Sequence, residues 1–421
     1  MILKHPNPIS LFSGLILFAV SLVQIGSAEE NWPSYRGPQG DGHARETGLP
    51  TEWGTADVAW STPLPGEGQS CPTIWGERIY MTASLRRGEE RVVFCVNRND
   101  GRILWQKTAW TGRPEPTHKM TGWASATCAT NGKYVYAFFG HGGGLFCYTT
   151  DGDLVWNQKL GNFEGPWGTA ASPILYKNLV IQNCDADVNA AIAAFDQETG
   201  DQVWRTKREN YRGWSTPVLV DVKGKKELVL NGHLGVRGYD PDTGNELWFC
   251  RGYNGRGTPM VTPGANGLLH VICGRGGDAF AIRPGGRGDV TATHRVWHTP
   301  RLRGRDLPSP IVLDGQMLVA NMAGILSSYN SDNGKNLWRG RLGGNYSAAP
   351  LAYQGLAFFL SEDGRTVAVK PGPQMEIVTE NLLKPAAEEV FRSTPTPSDG
   401  QIFIRSTRRL YCIGERNQDA S

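Results

Sequence analysis

Phe195-Asp196-Gln197-Glu198-Thr199-Gly200-Asp201-Gln202-Val203-Trp204 ends an apolar run, turns through Asp and Gly, and resumes as a strand carrying one Trp. A Gly followed four residues later by Trp recurs as Gly101/Trp105, Gly152/Trp156, Gly244/Trp248 and Gly334/Trp338, each after a turn such as Asn-Asp-Gly or Asp-Thr-Gly. Trp60 and Trp297 sit on similar strands without that turn, so seven Trp positions recur at spacings of 45, 51, 48, 44, 49 and 41. Self-similarity at this period is the sequence sign of stacked or ringed units.

A second marker, a small residue and then Pro before an apolar run, occurs at Pro72, Pro173, Pro217, Pro259, Pro310, Pro350 and Pro395, with Thr127 in the Pro place of the second unit. Each unit reads as four short strands joined by turns rich in Gly, Asn and Asp. Four strands every 40 to 50 residues make a propeller blade. Trp60 has no blade before it, and the last unit, residues 393–413, has no Trp strand after it. The expected fold is therefore all-β: an eight-bladed propeller over 57–414, closed by the N-terminal strand in the last blade. An outer strand without its Trp is expected around residues 374–378. Residues 29–56 form an N-terminal extension and 415–421 a tail.

Composition agrees. Gly (53) and Pro (26) are abundant, which suits many tight turns and excludes an all-helical chain. A net charge of +3 is too small for nucleic-acid binding by phosphate neutralisation. Lys4 and His5, an apolar run over 11–25 and Gly26-Ser27-Ala28 read as a signal peptide over 1–28, too short to span a bilayer. The expected product is exported, periplasmic or extracellular, and monomeric. Of eight Cys, Cys95, Cys147 and Cys412 fall where other units carry Ala, Gly or Ser, and Cys71 aligns with Ala126, Ser172, Thr216, Thr258, Ser309, Ala349 and Thr394. Such positions want small volume, so buried free thiols are expected rather than disulfides.

The motif over 195–204, echoed by 239–248, resembles the tryptophan-docking repeat of PQQ-like β-propellers, a superfamily that includes quinoprotein alcohol dehydrogenases and the outer-membrane assembly lipoprotein BamB. The opening Asn31-Trp32-Pro33-Ser34-Tyr35-Arg36-Gly37-Pro38 resembles the start of many exported bacterial members of unassigned function. The resemblance implies the scaffold. The enzymatic branch also carries an adjacent Cys pair and often C-x-x-C-H, and this sequence has neither. No cofactor is expected; PQQ with calcium, in a quinoprotein oxidoreductase, is the alternative, beside an enzyme acting on a polymer at the channel mouth.

Other motifs are weak. Asp185-Ala186-Asp187-Val188-Asn189 alternates oxygen ligands but has Ala190 where a calcium loop needs Gly. Gly274-Arg275-Gly276-Gly277-Asp278-Ala279 and Gly140-His141-Gly142-Gly143-Gly144 read as tight hairpins, not nucleotide loops. Ser70 lacks the G-x-S-x-G elbow. The connections entering the inner strands are richer: Glu67, Gln69, Trp123, Trp167, Trp214, Arg256, Arg305, Asp306, Tyr346 and Arg392 should converge at one channel mouth. Trp123, Trp167 and Trp214 are expected side by side, with Arg256 flanking, and with Asp306, Tyr346 and Arg392 completing a site for a protein or glycan ligand.

Overall fold

The computed structural model describes residues 1–2, 31–275, 278–300, 305, 307–386 and 388–415. Residues 3–28 of the proposed signal peptide and Asp306 therefore lie outside the described residues. Eight sheets form eight blades; seven occupy 73–111, 129–158, 174–207, 218–251, 262–299, 311–341 and 351–382. Blade 8 combines Thr396–Ser398, Gln401–Arg405 and Arg409–Ile413 with Val58–Pro63, and Trp60 pairs with Cys412. The outer strand of blade 7, Glu376–Leu382, has kept its place without Trp. No helix of the described residues is long and apolar enough to cross a membrane.

Burial follows from the ring. Inside blade 3, Leu179–Cys184 is buried at every residue because neighbouring blades cover both faces, whereas the outer strand Gln202–Lys207 buries chiefly Trp204. The turn before that strand is set by Asp196, whose carboxylate accepts the N–H groups of Glu198 and Thr199 and is thereby held below the usual carboxylate range. Asn97, Asp240 and Asn330 repeat this arrangement.

The Gly and Trp of the motif serve different junctions. The indole of each docking strand lies on the turn of the next blade, where Trp60, Trp105, Trp156, Trp204, Trp297 and Trp338 donate their N–H to turn carbonyls at 2.8–3.1 Å. The turn glycine sits beneath that foreign indole: a Cβ on Gly101, Gly152, Gly200, Gly244 or Gly334 would come within 2.4–2.7 Å of it. The small position of the Cys pattern is explained too. Cys95, Cys147, Cys412, Ala194, Gly238, Ala281 and Ser328 each lie opposite the Trp of the adjacent strand, where only a small side chain fits under the ring. All eight Cys are buried and none is in a disulfide, and burial pushes the thiols of Cys95, Cys147 and Cys412 up to about 12, which keeps them protonated and inert.

Trp248 departs from the expected pattern. Blade 5 has no docking turn, because residues 283–294 form a longer connection whose Gly288–Asp289 adds a parallel fifth strand to blade 4. Trp248 therefore turns into its own blade and donates to Glu227 Oε2 at 2.7 Å.

Residues 31–56 cross one face of the ring. Trp32 pairs with Ile74 of blade 1, Thr130 of blade 2 donates to Pro33 O, and Gly40 faces Val218 of blade 4. Buried Arg36 donates to Thr262 Oγ1 of blade 5 and to the Pro310 carbonyl beside blade 6, both at 2.8 Å. Ala44 N donates to Ala352 O of blade 7, and Glu46 accepts from Gly400 N of blade 8. At the junction of blades 7 and 8, which has no docking Trp, Trp53 stacks on Phe358 and its backbone N–H donates to Asn381 Oδ1.

A buried and a half-buried histidine give this fold a pH dependence. Burial holds His270, bonded to Ser331 O, and His43, bonded to Val312 O, below the usual histidine range. Each is neutral in the folded state over a range where the unfolded chain binds a proton. Their stabilising contribution is thus complete above about pH 6.5 and is lost as pH falls toward the folded values, by at most about 1.4 kcal/mol per pH unit for each group. Melting temperature is expected to fall between pH 7 and 5.5, less steeply in His270→Gln; equal melting temperatures for the native chain at both values would refute this.

Candidate functional site

The central channel is a blind cavity of about 500 Å³ built in tiers. Its lower tier is the small-residue marker. Ala349 N donates to Thr394 Oγ1, Thr394 N to Cys71 Sγ, Cys71 N to Thr127 Oγ1, Thr127 N to Ser172 Oγ, and Ser172 N to Thr216 Oγ1, at 2.9–3.2 Å. From blade 7 round to blade 4, each blade thus hands a backbone N–H to the next blade's side chain. In blade 2 the marker is Thr127, with Cys128 in the Pro slot, rather than Ala126 as the sequence alignment had it. The extension closes the channel beneath this tier with Tyr35, whose phenol burial pushes up, while the hydroxyls of Ser309 and Thr394 bond to it and oppose the shift.

The upper tier stands two residues earlier on each strand, where alternation returns side chains to the same face. It brings Gln69, Ser125, Trp214, Arg256 and Arg392 to the open mouth; Trp167, His118, Arg275 and Arg305 join from loops. Trp167 and Trp214 stack with centroids 6.2 Å apart, and Arg256 lies 4.6 and 5.5 Å from their centroids. Arg212, ion-paired with Asp187, lies 4.4 Å from the Trp167 centroid. Partial burial and then the nearby Arg212, Arg275 and Arg305 hold Arg256 below the usual arginine range. His118 is likewise lowered by burial, then by Arg305, Lys119 and Arg392. No described residue of the lining is a carboxylate.

The predicted residues divide accordingly. Trp167, Trp214, Arg256 and Arg392 come together, although Arg392 is held by Glu362 at 3.1 Å. Trp123 does not join the other two indoles: four residues ahead of its marker it packs over Gly88, with its N–H on Glu115 O. Tyr346, an odd three residues ahead, turns away from the channel into the core at 1% exposure. The indole faces are also covered by guanidinium groups, so the expected open stacking surface is absent from this sector. The calcium-like loop is spent on ion pairs, Asp185 with Arg208 at 2.6 Å and Asp187 with Arg212. Gly140–Gly143 makes one helical turn between strands instead of a tight hairpin. Sequence reasoning missed Tyr35, which belongs to no repeat, and His118, Arg275 and Ser125; only Ser125 carried a signal, its offset of two from Thr127.

The family model described as outer membrane protein assembly factor BamB matches residues 45–162, 88–258 and 287–372. Among curated proteins, subunit 1 of the cytochrome c methanol dehydrogenase of Methylorubrum extorquens is 24% identical over 167 residues, 36% of this chain but only 26% of that protein's length. BamB from Moraxella catarrhalis superposes with a TM-score of 0.61 at 15% identity, covering 86% of this chain and 99% of that one. Quinohemoprotein alcohol dehydrogenase from Comamonas testosteroni gives 0.69 at 14% identity, covering 93% and 82%. At such identities the superpositions speak for the fold alone. With the docking repeat around the ring and the family model over most of its blades, the chain belongs to the PQQ-like β-propeller family described as outer membrane protein assembly factor BamB.

Proposed function

We propose that the chain is an exported, monomeric, non-catalytic β-propeller that holds a protein or glycan ligand at the open mouth of its central cavity. The observation that carries this reading is a blind cavity of ligand size whose mouth presents Arg256 on a Trp167/Trp214 seat. Two hydroxyls of the mouth have structural partners: Ser125 Oγ lies against the Thr121 carbonyl and 3.0 Å from Gln69 Oε1, and Ser347 donates to Glu362, a carboxylate already ion-paired with Arg392. Export rests on the pattern of residues 1–28.

The quinoprotein alternative requires a calcium ion beside the quinone, and calcium takes oxygen ligands, carboxylates foremost. The described lining offers guanidinium groups and no carboxylate, a donor set that repels the ion, so PQQ with calcium does not fit and no step is derived through it. Calorimetry of the purified chain with PQQ plus calcium, and separately with a panel of neutral and acidic glycans, tests the reading. Heat from a glycan, lost in Trp214→Ala, and none from PQQ plus calcium is the expected result; tight calcium-dependent PQQ binding with alcohol oxidation would overturn it.

A further inference from the structure

Arginines near this cavity fall into two groups. Arg91, Arg208, Arg212 and Arg392 are held by Glu115, Asp185, Asp187 and Glu362. Arg256, Arg275 and Arg305 enter no ion pair among the described residues, and all three line the cavity. Arg256 is half-buried while Arg275 and Arg305 stand exposed at the mouth, and like charges gathered at one rim attract an anion that relieves their repulsion.

The aromatic residues act as their seat. A guanidinium lying on an indole face keeps its N–H edge free for a bidentate acceptor. With Arg256 on Trp167 and Trp214, a ligand entering the cavity meets that guanidinium edge before it meets a bare ring. The tier below continues the theme: Thr127, Ser172 and Thr216 each accept a backbone N–H, which leaves each O–H as a donor. The lining thus offers many donors, four guanidinium groups among them, and no described carboxylate.

We propose that the cavity is an oxyanion site for a compact ligand bearing carboxylate or sulfate groups, either a free small acid or the acidic sugar at the end of a glycan, with Arg256 as its anchoring fork and Arg275 and Arg305 beside it. This rests on the cavity being the ligand site. An acidic peptide suits it less well, because a peptide brings one backbone N–H per residue into a cavity already crowded with donors, and each stranded donor opposes binding.

Four probes decide the matter by calorimetry at low salt: a disaccharide ending in glucuronate, its neutral counterpart cellobiose, citrate, and an oligo-aspartate peptide. The glucuronate disaccharide or citrate should bind, raise the melting temperature and lose affinity with added salt, while cellobiose stays silent. Binding of the disaccharide above citrate assigns a glycan end, and the reverse a free acid. Arg256→Gln should weaken binding at least about tenfold and Arg256→Lys by less, since the charge remains without the fork. Both variants should melt near the native chain, as Arg256 makes no ion pair among the described residues. Equal binding of cellobiose, tighter binding of the peptide, or silence from both acids overturns the oxyanion site. Cellobiose binding abolished by Trp214→Ala would leave the cavity as the ligand site while removing the anion, whereas ligand binding indifferent to Trp214→Ala would remove both.

Discussion

A chain lacking residues 31–65 is expected to lose its cooperative unfolding transition and to associate through an open sheet edge. Val58–Pro63 is the outer strand of blade 8, paired along Arg409–Ile413. Its removal leaves that edge unpaired and takes away Trp60, whose indole holds the Arg98 carbonyl of blade 1. The same deletion removes the segment that ties Ile74, Thr262, Pro310 and Ala352 together under the ring. Trp32, Leu49 and Trp53 are each less than a tenth exposed, and burying a large apolar side chain stabilises by about 1.5–3 kcal/mol, so these three alone approach the 5–15 kcal/mol of a whole domain. A shorter deletion of 31–56 separates the two roles: it keeps the closing strand, and a cooperative but lower transition is expected, with Tyr35 gone and the channel open at both ends. Calorimetric scans of both chains check this. A 31–65 deletion that melts cooperatively within a few degrees of the native chain would show that the ring closes by other means, such as Arg405, which reaches from blade 8 to the carbonyls of Ser70 and Thr82 in blade 1.

The blade count and the closing strand were legible because a ring repeats its packing problem eight times, and the orphan Trp60 and the short last unit could be matched by position. The partner of each repeated residue was not legible. Gly200 and Trp204 look like one local motif, yet Gly200 serves Trp156 of the preceding blade and Trp204 serves Gly244 of the following one. Trp248 carries the same motif and docks elsewhere, because what it lacks is a turn in blade 5, outside its own segment. Residues 31–56 repeat nothing, so periodicity placed neither Tyr35 nor Arg36. At the mouth, strand parity was available and holds within three residues of the marker: Trp214, Arg256 and Arg392 at two line the channel and Tyr346 at three turns inward, whereas Trp123 at four packs on Gly88 and Trp167 at five reaches the cavity from a loop. Side chains that arrive from irregular loops, such as His118 and Arg275, are brought in by tertiary contacts that no local pattern encodes.

The interlock makes a sharper prediction than either of its residues suggests alone. Gly224 and Gly244 have nearly the same backbone conformation, φ +81° and +73°, which L side chains adopt at a cost of about 1–2 kcal/mol. They differ in surroundings. A Cβ on Gly224 meets nothing within 4 Å, whereas on Gly244 it falls 2.4 Å from Trp204 Cε3 and 2.8 Å from Thr206 Oγ1. Ala at Gly224 should therefore cost about 1–2 kcal/mol, the conformational strain alone. Ala at Gly244 adds the expulsion of a nearly buried indole and the loss of its hydrogen bond to Pro241 O, for a total of about 4–6 kcal/mol. Trp204→Ala alone should cost about 3–5 kcal/mol. In the double variant the added methyl enters space the indole has left, so the combined loss should fall short of the sum by about 2 kcal/mol or more, a coupling that only direct contact produces. Denaturant titration of the four chains measures it. Additive losses would mean that Gly244 is required for its turn alone, and that the blades are joined by general burial rather than by an indole seated on the next blade's glycine.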